Sequence, residues 1–495
     1  MKNALKAIIF IILTVVSVLG FNVLLKPKRF VEISVDNYHD EHVGMYELPD
    51  DSIDVLYLGS SHSFSSVSPE DIYKNYGITG YVQASSCQKV WQSYYYLEEA
   101  LYTQHPKLVV LDTFMALDGN PQSEAFNREA IDKMRYSEAK LNSAVTAYEM
   151  NPEGEDLVSY MMPAFRYHDR WEQLSEMDFK YPFMPSTSAA KGFLPRIGAA
   201  ATEFNLSDYE DPNAAPAELN ETCAEYLTKI NELCRENGIE LILVKYPTCL
   251  WNQTISLTIK AWADANGVKF LDFNADAELR QEAGIDWSVD SLDGGNHLNY
   301  DGAMKMSDWL GRYLTGNYSF ADKRSDPEYK VWDDDYAYYK KCVDSTAVPS
   351  INDIDAYLDA LSRNDYIAVI TVDYINMSVT QELFDKFNNF GMQAEVLSNV
   401  LQNANISVVE TLTHKSIYGA FDAEEVSYKG KIAGRKILAD SKISEAGQTF
   451  GCIYDKRETA INNDGLQFVV IDPDNGKVVD TSVWLIDSEN NLVRQ

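Results

Sequence analysis

The sequence predicts an α/β fold with a largely parallel sheet, followed by a smaller α+β domain. Short apolar runs that end in glycine or a polar residue recur along residues 53–274. A segment of helical character separates each run from the next, and glycine often closes that segment. This alternation is typical of a parallel sheet covered by helices, in which ligands bind at the carboxyl ends of the strands. We therefore expect the functional residues directly after the strands.

The first strands and helices follow that pattern. "IDVLYLG" (53–59) is predicted as a buried strand, and "SPEDIYKNYG" (68–77) as a helix with Ser68 as N-cap. "SYYYLEEALYTQ" (93–104) is predicted as helical, and "KLVVLDTF" (107–114) as the next buried strand.

The later elements repeat it. "AAPAELNETCAEYLTKINELCRENG" (214–238) is predicted as a long amphipathic helix closed by Gly238, and the strand "IELILVKYP" (239–247) follows. "TIKAWADANG" (258–267) and "VKFLDFN" (268–274) give another helix, glycine and strand. A last helix is predicted from about residue 301 to 314.

The N-terminal 29 residues are predicted to anchor the chain in a membrane. Residues 7–25 carry no charge, and lysine and arginine flank them on both sides. Nineteen residues of helix are just long enough to cross the hydrocarbon core of a bilayer, which is about 30 Å thick. A cleaved signal peptide is the alternative, but the small-residue cleavage site is poor. We expect a single-pass protein of the cell membrane, with the remainder extracytoplasmic after an acidic tether at 31–50.

Composition excludes several function classes. A net charge of -33 makes a nucleic-acid partner improbable, because phosphates would be repelled. Six scattered cysteines show neither metal-ligand spacing nor a disulfide framework, so we expect no metal and no cofactor. They lie at positions 87, 223, 234, 249, 342 and 452.

One serine, one histidine and one aspartate suggest nucleophilic acyl chemistry. Ser61 follows the first strand, whereas Asp293 and His297 lie in the glycine-rich loop "DGGNHLNYDG" before the last helix. A serine hydroxyl needs an imidazole to accept its proton, and the imidazole needs a carboxylate to orient it. Helix capping by the serine, and a plain turn or cation site in the loop, are the alternatives. Asp290 is the fallback carboxylate.

"YLGSSHSF" and "DGGNHLNYDGA" resemble motifs of the SGNH (GDSL-type) hydrolase superfamily. The resemblance covers residues 50–318 and is strongest to a membrane-anchored branch similar to the D-alanine transfer protein of teichoic acid modification and to polysaccharide O-acetyltransferases. It implies a flavodoxin-like, three-layer domain, Ser61 as nucleophile, and Asp293 and His297 as its partners. It also implies an envelope glycan or teichoic-acid-like polymer as substrate and a membrane-bound O-acyltransferase as a partner.

Two departures from the superfamily pattern concern the site. Asp293 lies four residues before His297, whereas three is usual in the superfamily. The position that commonly holds an oxyanion-binding asparagine carries "LDTF" instead. Ser85, Ser86 and Thr113 are therefore the candidate oxyanion donors. Loss of one side-chain donor costs about 3–4 kcal/mol of transition-state stabilisation if nothing replaces it.

Residues 118–213 form an insertion rich in methionine and aromatic residues, and we predict that it caps the serine site. His168, Arg170 and Trp171 are the candidate substrate contacts within it. The alternative is that these side chains hold the cap together by packing and hydrogen bonds.

Residues 319–349 are predicted as a linker, and 350–495 as a separate α+β domain. In that domain "DYIAVITVD" (365–373) is read as a strand and "TQELFDKFNNFG" (380–391) as a helix, and 472–476 as a hairpin turn. The region resembles the interleukin-like EMT inducer domain, which implies carbohydrate recognition; an inert spacer is the alternative.

The sequence as a whole therefore predicts a cell-surface serine acyl-transfer enzyme acting on an envelope polymer. A carbohydrate O-acetyl esterase is the close alternative, because both reactions pass through the same acyl-enzyme. A glycan-binding envelope protein with a vestigial triad is the third reading.

Overall fold

The computed structural model describes residues 2–27, 44–180, 188–203, 211, 213–373, 380–392, 403–422, 424–444, 447–460, 465–489 and 491–495. Most of the predicted tether and part of the predicted cap lie outside these ranges. The chain divides into two compact units, the first reaching Tyr339 and the second beginning at Lys340. This division falls within the segment predicted as a linker, inside the helix Lys330–Ala347.

A parallel five-stranded sheet forms the centre of the first unit, as predicted. Its strands are β1 (Val55–Gly59), β2 (Gly80–Ala84), β3 (Leu108–Asp112), β4 (Glu240–Lys245) and β5 (Lys269–Asp272). They pair in the order β2-β1-β3-β4-β5, and every pairing is parallel. This is the flavodoxin-like order, which places a crevice at the carboxyl ends of β1 and β3.

Both faces of the sheet are buried, which gives three layers. Alternate side chains of a strand point to opposite faces. Accordingly Leu56 and Leu58 of β1 join one hydrophobic core, whereas Val55 and Tyr57 join another. All five residues of β1 are buried, which explains its uninterrupted apolar run.

The helices up to Asn317, and the first part of the helix Lys330–Ala347, belong to the first unit. They are α1 (Lys2–Leu25), α2 (Ser61–Ser66), α3 (Pro69–Tyr76), α4 (Val90–Ala100), α5 (Glu124–Ile131), α6 (Glu138–Met150), α7 (Leu157–Met161), α8 (Glu176–Lys180), α9 (Glu221–Glu236), α10 (Gln253–Asn266), α11 (Ala277–Ala283), α12 (Tyr300–Asn317) and α13 (Lys330–Ala347). Short 3-10 turns include Pro163–Phe165 and His168–Gln173.

Capping residues set several helix ends. The Ser68 side chain accepts the Asp71 N–H at the start of α3, as predicted. Helix α9 begins at Glu221, later than the predicted start at 214, because Asn220 caps it by accepting the N–H groups of Thr222 and Cys223.

The first half of the insertion is an extension of the helical layer. Side chains of α5 and α6, such as Ile131 and Ala144, belong to the same hydrophobic core as Trp91 and Tyr95 of α4. Residues 124–161 therefore have a share in the main core. The later part of the insertion supplies a contact with the triad, between Arg196 and Asp293.

Helix α1 is, among the described residues, the one helix long and apolar enough to cross a membrane. Signal sequences share these properties. Most of its length is exposed.

The second unit is an antiparallel α+β domain. Its six-stranded sheet has the order β15-β14-β13-β6-β7-β8, and a four-stranded sheet has the order β12-β11-β10-β9. The strands are β6 (Ile367–Asp373), β7 (Ala404–Glu410), β8 (Lys415–Asp422), β9 (Glu425–Ile432), β10 (Arg435–Ser444), β11 (Gly447–Tyr454), β12 (Arg457–Glu458), β13 (Gly465–Ile471), β14 (Val478–Ile486) and β15 (Leu492–Arg494).

Two helices, α14 (Ile354–Leu361) and α15 (Gln381–Asn389), complete the second unit. The predicted hairpin is present: β13 and β14 pair antiparallel, and the Gly476 N–H donates to the Asp472 carbonyl in the turn.

Candidate active site

The turn between β1 and α2 presents Ser61 at the end of the parallel sheet. Gly59 has φ +139°, and a Cβ atom there would lie 2.5 Å from Cβ of Asp112, so only glycine fits. Ser60 caps α2 by accepting the His62 N–H, and its hydroxyl donates to Asp112 at 2.7 Å. Asp112, at the end of β3, thus holds the residue before Ser61.

The structure brings Ser61, His297 and Asp293 into one hydrogen-bonded chain. Ser61 Oγ lies 2.7 Å from His297 Nε2, and His297 Nδ1 lies 2.7 Å from Asp293 Oδ2. The other Asp293 oxygen accepts the His297 main-chain N–H at 2.9 Å. Two bonds to one carboxylate fix both the position and the rotation of the imidazole ring.

The loop before α12 explains the four-residue spacing. Gly294 and Gly295 have φ +74° and +77°, so two consecutive left-handed residues turn the chain between Asp293 and His297. The Gly295 N–H donates to Ser291 Oγ at 3.0 Å. The additional residue is accommodated in this turn.

Asp290, the fallback carboxylate, has other partners. Its Oδ2 lies 2.5 Å from Lys305 Nζ and accepts the Asp286 N–H at 2.7 Å. Because both contacts hold it on the far side of the loop, it does not serve His297; Asp293 fills that position.

Charge around the imidazole sets its protonation. Burial opposes ionisation of Asp293, but hydrogen bonds from His297 and Arg196 outweigh it and lower the pKa of Asp293 to about 2. An ionised carboxylate only accepts hydrogen bonds, so Nδ1 of His297 carries the proton. Burial lowers the pKa of His297, and the positive charges of Arg196 and Lys245 lower it further against the opposing effect of Asp293. Nε2 is therefore free to accept the Ser61 proton near neutral pH.

A stack of rings supports His297. The His62 ring lies 4.8 Å from the His297 ring, and on its other side it stacks on Phe114 at 3.8 Å. Lys245 Nζ lies 4.2 Å from the Phe114 ring centre. Burial lowers the pKa of His62 well below its usual value, with Lys245 adding to the effect, so this ring is neutral beside the catalytic imidazole.

All three candidate oxyanion donors use their hydroxyls elsewhere. Both the N–H and the hydroxyl of Ser86 donate to Glu129 Oε1, at 3.1 and 2.9 Å. The Thr113 hydroxyl donates to the Val244 carbonyl at 3.1 Å. The Ser85 hydroxyl donates to Gln88. Main-chain N–H groups, rather than these hydroxyls, are left as oxyanion donors.

The hydrogen bonds of the predicted cap residues His168 and Arg170 go to residues other than the triad. Arg170 donates to the carbonyls of Leu25 and Lys26 and pairs with Asp178, so it holds structure together. The His168 ring meets the Phe165 carbonyl, and Trp171 is largely exposed. The substrate role predicted for Arg170 is not supported by its contacts; the structural alternative fits them.

Sequence reasoning missed Arg196, whose Nη1 lies 2.5 Å from Asp293 Oδ2. It lies in the second half of the insertion, in a stretch without periodic pattern, so no sequence signal identified it. Lys245 and His62 had a signal, since both directly follow or end a strand. Among the described residues no cluster of three or more metal-ligating side chains is present.

Comparisons with known proteins give structural likenesses only. No protein-family profile matches the chain, and no curated protein matches it significantly. A protein assigned to the G-D-S-L lipolytic family from Desulfitobacterium hafniense is 12% identical with a TM-score of 0.27, over 52% of this chain and 98% of that one. A protein assigned as an acylhydrolase, from Bacteroides fragilis, is also 12% identical with a TM-score of 0.27, over 58% of this chain and 97% of that one.

A catalytic mutant of an acetylxylan esterase from Geobacillus stearothermophilus is 13% identical with a TM-score of 0.24, over 56% of this chain and 98% of that one. Identities and scores this low say nothing about activity, so the roles of individual residues rest on the geometry above. The resemblance to a membrane-anchored branch and that of residues 350–495 stay predictions.

Proposed function

We propose that this protein is a membrane-anchored serine acyl-transfer enzyme that acts on a cell-envelope polysaccharide or teichoic-acid-like polymer. One observation carries the proposal: the unbroken chain from Ser61 Oγ through the His297 ring to Asp293, with 2.7 Å at each step. A helix cap or a plain turn would not need this arrangement, and a vestigial triad would have no reason to keep it. The resemblance to the SGNH superfamily supports the same reading.

The geometry suggests how the acyl group moves. Ser61 Oγ attacks the carbonyl carbon of an acyl ester while His297 Nε2 takes its proton, and Asp293 stabilises the imidazolium that forms. The ester C–O bond breaks, and His297 returns the proton to the departing alcohol. A second hydroxyl, deprotonated by His297, then attacks the acyl-serine and releases Ser61.

The developing oxyanion needs donors that are in place before the reaction. The main-chain N–H groups of Ser61 and Ser85 are the proposed pair, because the N–H groups of Ser86 and Thr113 donate to Glu129 and to the Val244 carbonyl. Ser61 is the first residue of α2, so the positive end of that helix also favours negative charge beside it.

Labelling with a fluorophosphonate probe tests the activated serine. Wild-type protein should be labelled, and Ser61→Ala should lose all labelling. Ser65→Ala is the matched control: it removes a buried hydroxyl in the same helix that has no hydrogen-bond partner within the described ranges. An unlabelled wild type, or equal labelling of Ser61→Ala, contradicts the proposal.

Transfer and hydrolysis are separated by the fate of the acyl group. The triad serves both, since water or a sugar hydroxyl resolves the same acyl-enzyme. Isolated envelope polymer incubated with the enzyme and a soluble acyl ester should gain acyl groups if the protein is a transferase. Release of free acetate or D-alanine from polymer that already carries them would indicate the esterase instead.

A further inference from the structure

The last turn of α1 is packed against the protein, unlike the rest of the helix. Asn22 is only 5% exposed, and its side-chain oxygen accepts the main-chain N–H of Ala164 at 2.9 Å. Leu25 is also buried, whereas Phe10 in the middle of the helix is 72% exposed. The insertion therefore contacts α1 near the C-terminal end of the helix.

Arg170 adds hydrogen bonds to the same end of α1. One nitrogen of its guanidinium donates to the carbonyls of Leu25 and Lys26 at 2.9 and 3.0 Å, and another donates to Asp178 at 3.0 Å. The last carbonyls of a helix have no partner within the helix, and a cation is favoured at that end. Arg170 thus caps α1 and ties it to Asp178 of α8.

Three residues hold the end of α1, and an exposed aromatic residue directly follows each of them in the sequence. Phe165 follows Ala164, Trp171 follows Arg170, and Phe179 follows Asp178, and these three side chains are 59%, 65% and 55% exposed. Phe179 also lines an apolar cleft whose other wall is α1 between Ser17 and Leu24. With a rise of about 1.5 Å per residue, this contact extends roughly 12 Å back from the end of the helix.

We propose that residues 163–180, the interface segment, are seated in the membrane–water interface beside α1, with Phe165, Trp171 and Phe179 in contact with lipid. This rests on the proposed membrane anchor. If α1 crosses the bilayer, a side chain beside residues 17–24 lies at the depth of the apolar part of the helix. Aromatic side chains are the residues most enriched at that level of a membrane.

The seat, meaning the contact of the interface segment with the membrane, would also affect where the serine site lies. The insertion that contains the interface segment also reaches Asp293 through Arg196, and all of these residues belong to one compact unit. The serine site therefore belongs to the same compact unit as the interface segment, so that seating the segment would tether the site to the membrane surface.

Photo-crosslinking to lipid tests whether the interface segment contacts the membrane, and the result does not depend on enzymatic activity. The full chain is placed in phosphatidylcholine nanodiscs that contain a phospholipid with a diazirine on its acyl chain. After irradiation, lipid adducts are mapped by mass spectrometry. Adducts are expected on α1 and on Phe165, Trp171 and Phe179, at about tenfold the level on Tyr102, an equally exposed aromatic residue.

The controls separate this inference from the proposed anchor and from the proposed enzyme. Adducts on α1 alone would overturn the seat while leaving the anchor standing, and their absence from α1 as well would overturn both. The triple variant Phe165→Ser, Trp171→Ser, Phe179→Ser should lose adducts on the interface segment and keep those on α1. Because no step uses catalysis, an inactive serine would leave the result unchanged.

Discussion

Arg196 is expected to set the pH at which the site begins to work. Its charge lowers the pKa of His297, whereas the bonds to Asp293 raise it. In Arg196→Gln the pKa of His297 rises, so the neutral, proton-accepting form is lost at a higher pH. The acid limb of kcat/KM should therefore move toward neutral pH. Above that limb the rate should fall less than about tenfold, because Asp293 still holds the ring, against about 10⁴-fold when a triad carboxylate is removed.

The pH profile of kcat/KM, measured with a soluble ester substrate, is the readout. Arg166→Gln is the matched control, since Arg166 lies in the same insertion but pairs with Glu124. An acid limb of Arg196→Gln that stays in place or moves to lower pH would show that Arg196 does not act on His297.

Lys245 is expected to lower the free energy of unfolding of the protein. It is fully buried, its Nζ has no hydrogen-bond partner among the residues described, and it faces the rings of Phe114 and Trp251 at 4.2 and 5.0 Å. Burial lowers the pKa of Lys245 to about 8 from its usual 10.5. Between these values the folded chain binds fewer protons than the unfolded chain, so stability rises with pH there.

Lys245→Met should therefore raise the free energy of unfolding at pH 7 by up to about 3 kcal/mol. The gain should shrink as the pH rises from about 8 to 10.5, because the wild-type lysine loses its charge in the folded state over this window. Urea unfolding in detergent at pH 7 and pH 10 measures it. A variant less stable than wild type at pH 7 would mean that the ammonium is well solvated or paired.

The turn between β1 and α2 tolerates no side chain at its first position. In Gly59→Ala, the new Cβ would lie 2.5 Å from Cβ of Asp112 and 2.8 Å from Ser63 Oγ, at a left-handed φ. We expect a loss of about 2–4 kcal/mol in unfolding free energy from strain and overpacking. Because the turn aims Ser61, probe labelling should fall by about 100-fold or more.

Gly238→Ala separates strain from crowding. Gly238 also has a positive φ, of +69°, but a Cβ there meets no atom within 4 Å. This control should lose only about 1 kcal/mol and keep full labelling. Similar losses of labelling in both variants would show that the loss does not depend on the approach of Asp112 to the turn at Gly59.

The elements that could be read from the sequence are those specified locally. The apolar runs predicted β1, β3 and β4, because strands buried on both faces need uninterrupted apolar residues, and the shorter run at 268–274 predicted the edge strand β5. Ser68 and Pro69 predicted the start of α3 for a similarly local reason. The start of α9 was placed too early, at 214, although Pro216 disfavours a helix that runs through it; the cap at Asn220 sets the start that the structure has.

The residues of the candidate site also fall into those that a local sequence pattern marks and those that it does not. Ser61, Asp293 and His297 stand directly after a strand or in a glycine-rich loop, and these positions carry a signal. Arg196 and the pairing of Ser60 with Asp112 depend on which segments meet in three dimensions. Thr113 and Ser86 are already hydrogen-bonded to the Val244 carbonyl and to Glu129, and these partners also depend on the tertiary structure.

The charge of the whole chain bears on the class of polymer that the proposed reaction would use. With 75 acidic against 42 basic residues, the protein carries a net charge of -33 at pH 7. A polyanion such as a teichoic-acid-like polymer would be repelled at long range, whereas a neutral polysaccharide would not. The repulsion weakens with salt, because the Debye length falls from about 30 Å at 0.01 M to about 8 Å at 0.15 M. The dependence of rate on salt therefore reports the class of substrate.

We expect kcat/KM on an anionic polymer to rise as salt is increased over this range, and kcat/KM on a neutral polysaccharide to stay within about twofold. A small uncharged ester is the control, because its rate reports the triad without any polymer. If salt lowers the rate on the anionic polymer while the small ester is unaffected, a basic surface near the site must bind the polymer despite the net charge. The long-range argument would then be wrong, and short-range contacts would decide the substrate.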